Sequence, residues 1–306
     1  MRVLSLLPAS TEIVAALGAG DLLVGISHEC DYPALVVRGM PRVTCSSLDA
    51  AATPFEIDRS VRARSGAGES LYSVDGRAIE ALRPDLVITQ ALCAVCAVSD
   101  SDVRSMTARL ASEPAVVTIS GSTWKGVCDD IAAIGDAMGR AAEASSLIGS
   151  LDARLLVVHD TLKAARAPRP RVVVIEWTDP VFASGHWVPE LVRRAGGIEL
   201  MANAGDHSTV RSADEIRTAG PEMLVVAPCG YDVPSAVVAA REMLARDEWA
   251  WARELPVWAM DSNSLLSRPG PRLVDGTETL AAIFNPALFP VPDAACACRV
   301  EVGYVR

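Results

Sequence analysis

Short continuous apolar runs alternate along this chain with longer stretches whose apolar positions recur every three or four residues, the pattern of buried parallel strands between amphipathic helices. Residues 2–6 read as a strand, Ser10 as the N-cap of a helix over 11–17 that stops at Gly18, and 22–26 as the next strand. From 50 to 73 the pattern is irregular, and Ser65-Gly-Ala-Gly marks a surface loop. A helix over 74–82 ends at Pro84, a strand follows over 86–89, and a helix over 101–110 with a strand over 115–119 completes a βαβ series.

From 124 to 165 nearly every residue favours or tolerates a helix, and Ile131, Ile134, Met138, Leu151 and Leu155 fall on one face, which predicts one interrupted helix or two in succession. Ala167-Pro-Arg-Pro stops them. The second half then repeats the first, with strands over 171–175, 223–227 and 257–260 and helices over 188–194, 213–218 and 271–284. Leu82-Arg-Pro-Asp-Leu-Val-Ile-Thr is echoed by Ala219-Gly-Pro-Glu-Met-Leu-Val-Val, each a helix end, a proline, an acid and a buried strand. The expected division is an N-terminal α/β lobe over 1–122, a helical link over 123–167 and a C-terminal α/β lobe over 168–306. In open parallel sheets the crevice beyond the carboxyl ends of the strands takes the ligand.

A net charge of -10 argues against phosphate backbones, so no nucleic-acid partner is expected. No stretch gives 18 uninterrupted apolar residues, so the chain is not expected to insert into a membrane. The opening Met-Arg-Val-Leu-Ser-Leu-Leu-Pro imitates a leader for a few residues, but Glu12 interrupts it, and a cytoplasmic location is the expectation. The eight cysteines are then expected to be reduced, serving packing, metal binding or redox chemistry. The sequence contains no Gly-x-Gly-x-x-Gly after a strand, Walker loop, Gly-x-Ser-x-Gly or His-Glu-x-x-His, so nucleotide, hydrolase and zinc-protease chemistries lack their residues.

Three post-strand segments carry unusual side chains. Ser27-His-Glu-Cys-Asp-Tyr-Pro and Gln90-Ala-Leu-Cys-Ala-Val-Cys would bring His28, Cys30, Cys93 and Cys96 to one rim, a ligand set for zinc, an iron–sulfur cluster or the metal of a bound chelate. The bland alternative makes Cys93 and Cys96 small packing residues. Glu176-Trp-Thr-Asp-Pro-Val-Phe-Ala-Ser-Gly-His-Trp places Trp177, Phe182, His186 and Trp187 in one loop, an aromatic platform suited to a flat apolar ligand, against a core role for Trp177 and a backbone hydrogen bond for His186. Arg268 and Arg272, at the start of the last helix, suit anionic groups on a ligand or an ion pair with Asp261 or Asp275.

Taken together, Leu4-Ser-Leu-Leu-Pro-Ala-Ser-Thr-Glu-Ile, Val24-Gly-Ile-Ser, Asp31-Tyr-Pro, Leu82-Arg-Pro-Asp-Leu-Val-Ile and Ser267-Arg-Pro-Gly-Pro-Arg resemble the helical-backbone (class III) binding proteins of ABC importers, particularly the cobalamin-binding branch. The resemblance implies an α/β fold of two Rossmann-like lobes with parallel sheets, joined by a single long helix, with the ligand cleft between them. It implies a non-catalytic protein that holds cobalamin, a related corrinoid or another small-molecule metal chelate, with Tyr32, Trp177, Phe182 and Arg268 as contacts and Glu190 meeting an ABC permease. With no leader seen, the expected member is a cytosolic one. The alternative is a cytosolic cysteine-ligated metal or iron–sulfur protein with redox or transferase activity.

Overall fold

A computed structural model describes residues 1–49, 52–67, 69–91, 100–108 and 110–301. The chain forms two compact units, one of Met1–Gly121 with Lys125–Ser150 and the other of Ser122–Trp124 with Leu151–Arg306.

In chain order the first part runs β1 (Val3–Ser5), α1 (Pro8–Ala16), β2 (Leu23–Ile26), α2 (Ala34–Val37), β3 (Thr44–Ser46), α3 (Pro54–Gly66), β4 (Tyr72–Val74), α4 (Gly76–Leu82), β5 (Leu86–Gln90), α5 (Asp100–Thr107) and β6 (Ala115–Ile119). Its main sheet is parallel, in the order β2-β1-β5-β6. β1 and β5 are buried along their whole length, as strands covered on both faces must be. Leu4, Leu6, Ile79, Val87 and Val103 build the core on one side, each fully buried side chain contributing roughly 1.5–3 kcal/mol.

Two local expectations are corrected. Helix α1 begins at Pro8, whose fixed φ favours the first helical position, so Ser10 lies inside the helix. The Ser10 hydroxyl bonds back to the Leu7 carbonyl at 3.0 Å. The stretch read as irregular holds α3 and β4; the reciprocal bonds of Thr53 and Glu56 cap α3, with Pro54 at its first position.

The helical stretch is two helices, α6 (Trp124–Ala137) and α7 (Ala141–Ala164). They part at Gly139, whose φ of +67° a side chain would oppose.

The second part continues with β7 (Arg171–Thr178), β8 (Val181–Ala183), α8 (Val188–Arg194), β9 (Ile198–Glu199), β10 (Thr209–Val210), α9 (Ala213–Ala219), β11 (Met223–Val226), α10 (Val233–Ala245), β12 (Val257–Met260), α11 (Ser262–Leu265), α12 (Leu273–Phe284) and β13 (Ala297–Arg299). Its sheet has the order β10-β8-β7-β11-β12-β13, with β9 also on β7. β7, β9, β11 and β12 are parallel; β8, β10 and β13 are antiparallel additions at the edges. Cys296 and Cys298 are half-buried, and Cys298 stands opposite Ala259 in the sheet. Arg154 of α7 reaches Asp275 at 2.5 Å and Glu278 at 2.6 Å, fastening α7 to α12.

The sequence echo has a three-dimensional counterpart. Helices α4 and α9 end in left-handed residues, Arg83 at φ +45° and Gly220 at φ +67°. Two residues on, Asp85 accepts the backbone N–H of Arg2 at 2.7 Å, and Glu222 accepts that of Arg171 at 2.8 Å. The arginines answer alike: Arg2 Nε donates to the Leu82 carbonyl at 2.8 Å and Arg171 Nε to the Gly220 carbonyl at 3.0 Å.

Candidate functional site

In the second unit the carboxyl ends of β7, β11 and β12 each lead into a loop, and hydrogen bonds tie the three together. Cys229 N–H donates to the Glu176 carbonyl at 3.0 Å, and Asn263 N–H to the Tyr231 carbonyl at 3.0 Å. The Trp187 indole N–H donates to the Leu266 carbonyl at 2.7 Å. Trp187 is therefore a buried strut between two loops.

On this frame Trp177, half-buried, meets Tyr231 edge-on with ring centroids 5.7 Å apart, a favoured aromatic geometry. Phe182 stands opposite Trp177 in the β7–β8 register. Arg268, buried, donates to Asn263 Oδ1 at 2.9 Å at the approach to α12.

Two imidazoles lie on the segment between β8 and α8 and on the segment before β10. His186 has a left-handed backbone, φ +53°; its N–H donates to the Asp206 carbonyl at 2.6 Å and its carbonyl accepts from Gly205 N–H at 2.8 Å. The segment 206–208 passes so close to Gly185 that a Cβ there would lie 2.3 Å from the Ser208 nitrogen. That approach places His207 Nδ1 3.2 Å from His186 Nε2. Burial, and then the neighbouring His207, hold the His186 pKa below the usual imidazole value, which favours the neutral, metal-ligating form.

Two carboxylates underlie this loop. Glu176 accepts the Gly185 N–H at 3.2 Å and the Ser208 hydroxyl at 2.5 Å. Glu199 accepts the N–H groups of Val174, Leu200 and Met201. Burial nonetheless outweighs those donors and, with the charge of Glu176, pushes its pKa up to about 7.

The residues predicted in the first unit fall into different roles. His28 Nδ1 lies 2.7 Å from Thr44 Oγ1 and its ring packs against Tyr72; burial and then Arg42 lower its pKa. Cys30 is fully buried among Ile26, Val37 and Met40, with Thr11 Oγ1 at 3.1 Å from its sulfur. Tyr32 is 46% exposed. Cys93 and Cys96 lie outside the described residues. Among the described residues no three histidine, cysteine or acidic groups converge on a metal position.

Glu190 is also committed. Its carboxylate accepts the Trp124 N–H at 3.0 Å and the Arg194 guanidinium at 2.9 Å and is 14% exposed, which makes it a structural tie within the second unit.

Sequence reasoning missed Tyr231, His207 and Glu176 as parts of this arrangement. Tyr231 was within reach, because Pro228-Cys-Gly-Tyr follows the strand ending at Val226 and so occupies a ligand-loop position. His207 had no signal; the Gly185 approach that brings it to His186 is a tertiary fact.

Residues 68–251 match the family model described as periplasmic binding protein, and the chain belongs to that family. It is 25% identical over 297 residues to an ABC transporter substrate-binding lipoprotein, YvrC, of Bacillus subtilis, covering 94% of this chain and 81% of the relative. Among solved structures it is similar to a periplasmic heme-binding protein from Pseudomonas aeruginosa, with 20% identity, TM-score 0.72 and 99% of each chain covered. It is also similar to the periplasmic vitamin B12-binding protein BtuF of Vibrio cholerae, with 21% identity, TM-score 0.64 and coverage of 94% and 97%. These structures share the α/β fold read from the sequence.

The family membership overturns the cytoplasmic expectation: periplasmic binding proteins and the matched lipoprotein point to a location outside the cytoplasmic membrane. Among the described residues no helix is long and apolar enough to cross a membrane.

Proposed function

We propose that this chain is the solute-binding component of an ABC importer and that its solute is a metal-bearing tetrapyrrole held at the carboxyl-end loops of the second unit. The observations that carry the reading are the Trp177–Tyr231 ring pair and the His186–His207 pair, both in the second unit. A flat macrocycle finds aromatic surface there, and a neutral imidazole nitrogen suits the open axial position of a heme iron. The names of the similar proteins support the same class, since one binds heme and another vitamin B12.

Heme is the favoured member, because the paired imidazoles offer what an iron porphyrin lacks and a corrinoid already has. A corrinoid is the second reading, supported by the aromatic pair and the likeness to the Vibrio protein. Delivery to a permease follows from the importer role, with Glu190 replaced as the docking residue by acids that are exposed.

Titration with hemin and, separately, cyanocobalamin tests the reading through the visible spectrum and the heat of binding. Hemin is expected to give the Soret band of an imidazole-ligated iron, lost in the double variant His186→Ala/His207→Ala. Binding of cyanocobalamin alone moves the assignment to a corrinoid. No spectral change and no heat with either at micromolar protein overturns the proposal.

A further inference from the structure

We infer that the second unit carries a separate binding site for a single-chain amphiphile with an anionic head, in the groove between the last turns of α7 and the end of α8. The groove encloses about 710 Å³, within the size range of small-molecule sites. It lies toward the amino end of β7, one length of α8 away from the His186 loop, and shares no residue with the tetrapyrrole site.

Its composition is unlike the rest of the molecule. The chain carries a net charge of -10, yet the groove is lined by one lysine, four arginines, His159 and one carboxylate, Asp152. That carboxylate accepts the Trp124 indole N–H at 2.8 Å. Arg194 is paired with Glu190, and Arg169 donates to the Gly197 carbonyl. Lys163, Arg166 and Arg193 are exposed and, among the described residues, their side chains make no ion pair. Like charges gathered on one rim raise each other's energy, and an anion relieves that repulsion.

Beneath the cations the wall is apolar. Leu155, Leu156 and Leu162 line the groove, and Leu156 is 57% exposed. A bare inorganic anion would satisfy the rim and leave Leu156 wet; an uncharged hydrocarbon would leave the cations unrelieved. A chain of about ten carbons bearing a carboxylate or phosphate answers both, and covering each methylene contributes about 0.8 kcal/mol.

Calorimetric titration of the full-length protein with decanoate and with decyl phosphate, both below their micelle concentrations, tests the site. Decanol, inorganic phosphate and phosphatidylglycerol vesicles serve as comparison ligands. Saturable binding of decanoate or decyl phosphate at least tenfold tighter than decanol and inorganic phosphate is expected; whichever of the two binds tighter identifies the head group. The double variant Lys163→Glu/Arg193→Glu is expected to weaken that binding at least tenfold and leave hemin binding unchanged. The charge-matched Arg77→Glu/Arg241→Glu is expected to alter neither. Trp177→Ala is expected to leave decanoate binding intact, so failure of the tetrapyrrole reading and failure of this one are distinguishable. Absence of saturable binding, equal loss in both double variants, or binding to vesicles without binding to either soluble amphiphile overturns the inference.

Discussion

At Asp85 in the first unit and Glu222 in the second, an acid two residues past a left-handed helix end accepts the backbone N–H of an arginine that opens the neighbouring strand. At the carboxyl ends of the same strands nothing repeats. β1 leads into small buried groups, where Ser5 Oγ lies 2.6 Å from Ser10 Oγ and 2.7 Å from Thr11 Oγ1, and Thr11 lies beside Cys30. β7 leads into indole, phenyl and imidazole rings. The repeated clamp satisfies backbone groups that any helix-to-strand turn leaves unpaired, so its chemistry is dictated by the fold. The carboxyl-end loops hang from a finished sheet, and their side chains are free to be fitted to a solute.

The largest expected effect comes from closing the approach that brings the imidazoles together. Gly185→Ala places a methyl against the backbone of 206–208; it is expected to cost about 3 kcal/mol of stability in urea unfolding and to abolish the imidazole-ligated Soret band. Next is Trp177→Ala, expected to weaken tetrapyrrole binding tenfold to a hundredfold, or about 1.4–2.8 kcal/mol, with hemin titration as the readout.

The pH dependence of Glu199 follows. Its folded pKa of about 7 lies above its ordinary value of 4.5. Stability that is full below the ordinary value is therefore lost as pH rises from there through about 7, amounting to about 3 kcal/mol. His186, shifted down, acts in the opposite sense. Urea midpoints of wild type and Glu199→Gln at about pH 5 and about pH 8 isolate the effect; the variant is expected to lack that loss. The smallest effects belong to the clamps: Asp85→Asn and Glu222→Gln are each expected to lower stability by about 0.5–1 kcal/mol, in similar measure, because both carboxylates are at the surface. A large inequality in thermal midpoints would break the equivalence of the two turns.

The sequence showed these features unevenly. Periodicity located the longer parallel strands and α8 because their burial is one-dimensional, written in consecutive residues. The short strands β8, β9 and β10 have two or three residues each and no period to read. α3 was missed although Thr53-Pro-Phe-Glu carries both a capping box and a favourable proline. Trp177 and Phe182, read as neighbours in one segment, are opposite each other across the β7–β8 hairpin. Trp187 misled, since an indole in a loop looks like a ligand contact until its N–H is seen on the Leu266 carbonyl. Cys30 misled for a related reason: spacing alone does not reveal that it is packed within the core.

Glu199 also alters how the molecule behaves in an electric field. With Glu199 exchanging its proton near neutrality, the protein acts as a buffer there, and its electrophoretic mobility between about pH 6 and about pH 8 should change more than ordinary carboxylates would allow. The formal charge of -10 counts that group as fully ionised, so around pH 7 the measured charge should sit about half a unit closer to zero on its account.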